Sequence, residues 1–296
     1  MDMEIDSRVI GVTYSVCAAM LLVSVGCYVV RHTGSGKAPP MPRGKVSIAG
    51  FGLIDAIGIS IFAGFYVLSW IASLMVEEQK ELGEMGNLPA LLLSQLAFQL
   101  FQIVIVLGLL FWRMNLAAAF GLVWRRWVLV FLAPLVVVMI WALMGVLEVV
   151  GYFDWISELV DGDLKQDAVR LLAENNDPMT LGAMAVVACW GAPLAEEVVF
   201  RGYIYAAMKR FSNIPVAVIF TGILFGAVHM NLAALLPLTI LGIFLALAYE
   251  YTGSLWAPIA IHFCFNSATT VSQMIMKLNP ELLEQIEQNA AYFGFG

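Results

Sequence analysis

Charge is what this sequence has least of: 12% of its 296 residues are Asp, Glu, Lys or Arg, against roughly a quarter in an average soluble domain. That scarcity excludes an ordinary soluble enzyme. With a net charge of -7 and no Lys/Arg-rich tract, there is no footprint for a nucleic-acid partner. Cysteine is sparse too. Cys17, Cys27, Cys189 and Cys264 sit within apolar runs with no CxxC spacing, which removes a zinc ribbon or a disulfide framework and leaves small apolar residues. No HExxH, GxSG or GxGD is present.

Apolar residues make up the rest: 61% of the chain is hydrophobic and the mean hydropathy is +0.87. Spanning a bilayer takes about 20 apolar residues per helix. Eight runs qualify, at 9–30, 51–76, 89–112, 127–153, 179–208, 214–229, 232–249 and 255–276. The sequence therefore predicts an all-α polytopic membrane protein, a bundle of about eight transmembrane helices. Ser24-Val25-Gly26-Cys27 faintly imitates a lipoprotein cleavage site, but the segment before it is acidic, so the first run reads as a retained helix. In the fifth run Gly191 and Pro193 predict an interruption, because proline removes a helix donor. Three regions follow: an N-terminal membrane region over 1–178 with four spans and an acidic outer loop, a membrane core over 179–276, and an acidic tail over 277–296.

Basic residues set the orientation. With the N-terminus outside, the inner loops hold Arg31, Lys37, Arg43, Lys45, Arg113, Arg125, Arg126, Lys209 and Arg210, nine against five outside, as the positive-inside rule requires. Both termini are then expected outside a plasma membrane. The stretch 37–45 is proline-rich and basic, which predicts an extended inner linker. The acidic stretch 154–177 is the longest outer segment; Ile156, Leu159, Val160, Val169, Leu171 and Leu172 suit either a surface-lying amphipathic helix or a solvated loop.

Ionisable residues at membrane depth cost at least ~2.5 kcal/mol each, so each calls for an explanation. Asp55 and Glu148 stand near helix ends, where water is in reach. Glu196, Glu197 and Arg201 do not. At about 100° per residue, Glu197 and Arg201 are i,i+4 neighbours on one face, while Glu196 points some 140° away from Arg201. Glu197 thus has a local countercharge and Glu196 has none. A carboxylate without a partner in low dielectric holds protons more tightly, which suits it to take one from water. Of three histidines, His32 lies in the basic inner loop, while His229 and His262 fall in apolar runs. His262 and Asn266 lie one turn apart on one helix face, and Phe225, one turn from His229, reads as packing.

Glu196-Glu197-x-x-x-Arg201, Phe225-x-x-x-His229 and His262-x-x-x-Asn266, with the connecting Tyr251-Thr252-Gly253-Ser254-Leu255-Trp256-Ala257-Pro258, resemble the signature motifs of the CAAX protease and bacteriocin-processing intramembrane proteases, a group that includes the type II CAAX prenyl endopeptidases. The resemblance covers roughly 184–267. It implies that Glu196 and His229 activate the attacking water, that His262 and Asn266 stabilise the oxyanion, and that Glu197 and Arg201 hold the first motif in place. The implied partner is a membrane-associated peptide or protein substrate, prenylated or a small precursor. No cofactor is favoured. Glu196, His229 and His262 nonetheless have the His₂Glu composition of a catalytic zinc site, which stays open as an alternative. Two readings of other classes stand beside the protease: an ion-coupled transporter with a relay through Asp55, Glu148, Glu196 and Arg201, and a non-catalytic module that binds a partner, as in bacteriocin immunity.

Overall fold

The computed structural model describes residues 3–35, 44–77, 88–123, 126–160, 171–172, 175–279 and 281. Among these the chain is all-α, with ten helices and no strand. Helices α1 (Met3–Ser35), α2 (Leu53–Glu77) and α3 (Leu88–Leu110) are followed by the short α4 (Leu116–Ala119). Then come α5 (Ala133–Val149), led in by a 3₁₀ segment at Trp127–Leu132, and α6 (Tyr152–Leu159). The last four are α7 (Pro178–Phe211), α8 (Ile214–Ala227), α9 (Leu232–Thr252) and α10 (Trp256–Leu278).

Caps written in the sequence set these starts. Asp177 precedes Pro178 and accepts from Thr180 N at 2.8 Å and Thr180 Oγ1 at 2.6 Å; those two bonds hold its carboxyl below the ordinary carboxylate range. Asn213 and Asn231 cap α8 and α9 in the same way through Val216 N and Ala234 N. Gly253, at φ 74°, ends α9 in the left-handed conformation that suits glycine.

Among the described residues six helices are long and apolar enough to cross a bilayer, those over Ile5–Gly34, Leu53–Leu74, Leu92–Leu110, Trp127–Val149, Pro178–Phe211 and Leu232–Thr252. The two other expected spans differ for separate reasons. Helix α8 has 14 residues, roughly 21 Å of rise against a core of about 30 Å. Helix α10 has 23, but it carries His262, Asn266, Thr269, Thr270 and Gln273 and is the more polar for it. Both belong to the site. Large apolar side chains such as Leu22, Val23, Leu68, Phe131 and Leu135 point outward, as lipid contact requires. The chain is an integral membrane protein.

Helix α7 runs through the centre, with Val199, Phe200, Tyr203, Ile204 and Tyr205 fully buried. Two buried ion pairs tie its neighbours to it, and each corrects an expectation. Asp55 does not reach water: it is fully buried, takes Arg113 on both oxygens at 2.8 and 2.6 Å, and accepts from Tyr203 on α7 at 3.2 Å. Lys209 is not a solvated loop residue either. Its Nζ lies 2.8 Å from Glu250 Oε2 and 3.0 Å from Val46 O, while Tyr205 donates to the same carboxylate at 2.7 Å. Of the four free thiols, Cys17 and Cys189 are buried, Cys264 is half-buried and Cys27 is exposed on α1. The acidic stretch is helical over α6, whose Ile156 packs on Leu232 and Ala233; residues 161–170 and most of the expected tail lie outside the described residues.

Candidate active site

The expected break at Gly191 and Pro193 is a change of helical register instead. Helix α7 continues, but Val187–Gly191 and Val198–Tyr205 are π-helical, flanking a six-residue α stretch that ends in Glu196 and Glu197. In the first π turn the Ala192 N–H reaches Val187 O, five residues back. The next carbonyl in that register, Ala188 O, falls to residue 193, and proline has no hydrogen to give it. Asn266 on α10 fills the gap, with Nδ2 at 2.8 Å from Ala188 O. Single π turns of this kind recur at functional sites.

The second π turn buries Arg201 completely. Its Nη1 lies 2.9 Å from Glu197 Oε1, its Nη2 donates to Gly242 O on α9 at 3.0 Å, and its guanidinium carbon stands 4.6 Å from the ring centre of Phe225. Helices α8 and α9 meet closely enough for this because both contact residues are glycine. A Cβ on Gly242 would lie 2.9 Å from Gly222 Cα.

The same Glu197 oxygen receives His262 Nδ1 at 2.9 Å, in a buried contact between residues 65 apart in sequence. A carboxylate accepts only, so the ring hydrogen sits on Nδ1 and Nε2 is turned toward Glu196, 3.9 Å from its Oε2. That Oε2 is buried and has no hydrogen-bond partner. His229 lies in the turn after α8, where its Nδ1 bonds Phe225 O at 2.8 Å and leaves Nε2 as an acceptor. The Phe225 ring touches both histidines, with centroids 5.1 Å from His229 and 5.6 Å from His262.

The structure thus brings Glu196, Glu197, Arg201 and His262 into one connected cluster, sets His229 beside it across Phe225, and ties Asn266 to the backbone of α7. His262 and Asn266 each hold one fixed partner in the structure, which leaves His262 Nε2 and the second amide hydrogen of Asn266 for the point at which the pair is expected to aim. Their hydrogen bonds run to Glu197 and to Ala188 O, because the acceptor freed by Pro193 claims the amide.

Sequence reasoning passed over the opposite wall. Gln99 and Gln102 on α3 are buried, and Gln102 Nε2 donates at 3.1 Å to the hydroxyl of Tyr66 on α2. Tyr66 stacks on Phe200 and lies within electrostatic range of Glu196. A search confined to ionisable groups misses neutral amides, yet two glutamines three apart in an apolar run were the signal.

Among the described residues no three His, Cys, Asp or Glu side chains stand close enough together to hold a metal ion. Glu196, His229 and His262 as placed do not form a ligand set.

Residues 178–268 match the family model described as Type II CAAX prenyl endopeptidase Rce1-like, so the resemblance carried by the three motifs holds over the segment that contains them. A Bacillus subtilis (strain 168) protein named "Putative membrane peptidase YdiL" is 32% identical over 91 residues, covering 31% of this chain and 37% of that protein's length. No solved structure matches.

Proposed function

We propose that this protein is an intramembrane endopeptidase acting on a membrane-associated peptide or protein, with prenylated chains and small peptide precursors as its substrate classes. The observation that carries this reading is the unpartnered, buried Glu196 Oε2, 3.9 Å from the Nε2 of a histidine whose other nitrogen is fixed by a carboxylate. A general base must be free to take a proton, and Glu196 is the carboxylate in the cluster that no cation neutralises.

In this reaction Glu196, assisted by the free Nε2 of His229, accepts a proton from water as its oxygen adds to the scissile carbonyl carbon. The second amide hydrogen of Asn266 and His262, whose Nε2 shares the proton that Glu196 has taken, stabilise the developing oxyanion. Collapse breaks the C–N bond, and the proton on Glu196 passes to the leaving amine. Glu197 and Arg201 hold the His262 ring and touch no substrate. A transporter relay through Asp55, Glu148, Glu196 and Arg201 finds less support: Asp55 is spent on Arg113 and Glu148 is exposed at the end of α5.

The test compares membrane peptides from cells carrying the wild-type chain or Glu196→Gln, then offers any accumulating precursor to purified protein. The reading expects a precursor that the wild type cuts and the variant leaves whole. Identical peptide inventories, with no cleavage in vitro, overturn it.

A further inference from the structure

We propose that Met230 is a positioning residue for His229: held in a left-handed backbone conformation and anchored on α2, it keeps the histidine ring on Phe225 O and leaves Nε2 free. What His229 does rests on the protease reading; how its ring is held does not.

A residue other than glycine is strained in the left-handed region, because its Cβ crowds the following carbonyl oxygen. Among the described residues six take a positive φ, and five of them are glycine: Gly44, Gly50, Gly121, Gly151 and Gly253. The sixth is Met230, at φ 51°, directly after His229. Strain of this kind persists only where the surroundings enforce it, and it collects at functional sites.

The surroundings enforce it here. Helix α8 must turn into α9 between Ala227 and Leu232, and Asn231 is already committed to capping α9 through Ala234 N. His229 N and Met230 N close the end of α8 on Gly226 O at 3.3 Å and on Ala227 O at 3.1 Å. Side chains from three other helices hold the turn. Tyr14 on α1 donates to Ala227 O at 3.3 Å, Tyr152 on α6 donates to Leu232 O at 3.2 Å, and the Met230 sulfur lies 3.8 Å from the hydroxyl of Ser73 on α2. Glycine would satisfy the φ and give up the hold on α2. Helix ends fray, and a frayed turn would take His229 out of the helical conformation that brings its Nδ1 within 2.8 Å of Phe225 O, four residues back. A displacement of about 1 Å at a reacting group is enough to cost roughly a hundredfold in rate.

With three histidines in the chain, the ring can be watched directly. Protein in nanodiscs, isotopically labelled at the histidine ring nitrogens, is compared by NMR as wild type, Met230→Gly, Met230→Asn and Met230→Leu, with His229→Gln to assign the signal. The wild type should show a single tautomer with the proton on Nδ1. Glycine and asparagine both accept the left-handed backbone, so the variants keep the fold, but neither side chain reaches α2; each should show a mixture of the two tautomers. Leucine keeps the bulk and should restore the single form. A mixture already in the wild type, a single tautomer in Met230→Gly and Met230→Asn, or a mixture in Met230→Leu overturns the proposal.

Turnover supplies the second arm. On a precursor that the wild type cuts, Met230→Gly should lower kcat roughly ten- to a hundredfold with KM unchanged. In a His229→Ala protein the same substitution should do nothing further, because its influence passes through that ring. An equal loss with and without His229 overturns the positioning. A single fixed tautomer in a wild-type protein that hydrolyses nothing would instead keep the positioning and sink the protease reading.

Discussion

Asn266 donates from Nδ2 to Ala188 O at 2.8 Å, and that carbonyl is available because residue 193, the one placed to serve it, is proline. One sequence feature, Pro193 of α7, thus fixes the position of another, the asparagine of α10. Asn266→Ala should lower kcat roughly a hundredfold if the amide's other hydrogen serves the oxyanion. It should also destabilise the fold by about 1–3 kcal/mol through the orphaned carbonyl. Pro193→Ala restores an N–H to the helix, so the stability cost of Asn266→Ala should shrink in that background. Thermal melts of the four proteins in the cycle measure this; an equal cost with and without the proline refutes the link.

Gly242 offers a second handle. A methyl group there would lie 2.9 Å from Gly222 Cα and 3.1 Å from Phe225 Cβ, so α8 and α9 must separate to admit it. The Gly242 carbonyl also takes Arg201 at 3.0 Å. Gly242→Ala should therefore cost about 1–3 kcal/mol by overpacking and reduce cleavage by disturbing Arg201 and Phe225. Unchanged melting and activity would mean that the helices do not touch here.

The parts of this site that could be read from the sequence were local. Glu197 and Arg201 are four apart on one helix, and periodicity alone pairs them. What could not be read joins distant residues: His262 to Glu197 across 65 positions, Asp55 to Arg113 across 58, and Lys209 to Glu250 across 41. Hydropathy scores Lys209 as a loop charge because it sees neighbours in sequence, whereas burial is decided by α9. The π turns were invisible for another reason: an i,i+5 register leaves apolar spacing too little changed to detect. Phe225, read as packing, is the ring on which Arg201 rests.

The orientation expectation is tested with that correction made. Lys209 is buried against Glu250 and cannot report a membrane face, whereas Lys45, in the linker between α1 and α2 that is expected on the same side, is exposed. Glu81, Arg125 and Asp163 lie outside the described residues. With the native cysteines replaced, single cysteines at 81 and 163 should react with an impermeant thiol reagent in intact cells, and those at 45 and 125 only after lysis. Labelling of 45 or 125 in intact cells inverts the arrangement.

The two neighbouring glutamates should fail differently, because one carboxylate oxygen of Glu197 holds both Arg201 and His262 while Glu196 Oε2 holds nothing. Glu196→Gln keeps the shape and removes the proton acceptor, so cleavage should disappear while yield and melting temperature stay at wild-type values. Glu197→Gln leaves a fully buried Arg201 without its countercharge, a loss of about 3–5 kcal/mol in buried pairs. It also frees the His262 ring to turn. Yield, melting temperature and activity should then fall together. Both variants are compared by thermal stability in detergent and by single-turnover cleavage of a precursor identified in vivo. A stable, fully active Glu196→Gln protein removes Glu196 from catalysis. Exhaustive chelation of the wild type completes the comparison: the metal-free scheme expects unchanged turnover, and activity lost to chelator and restored by zinc would make Glu196, His229 and His262 ligands that must move together from where they now stand.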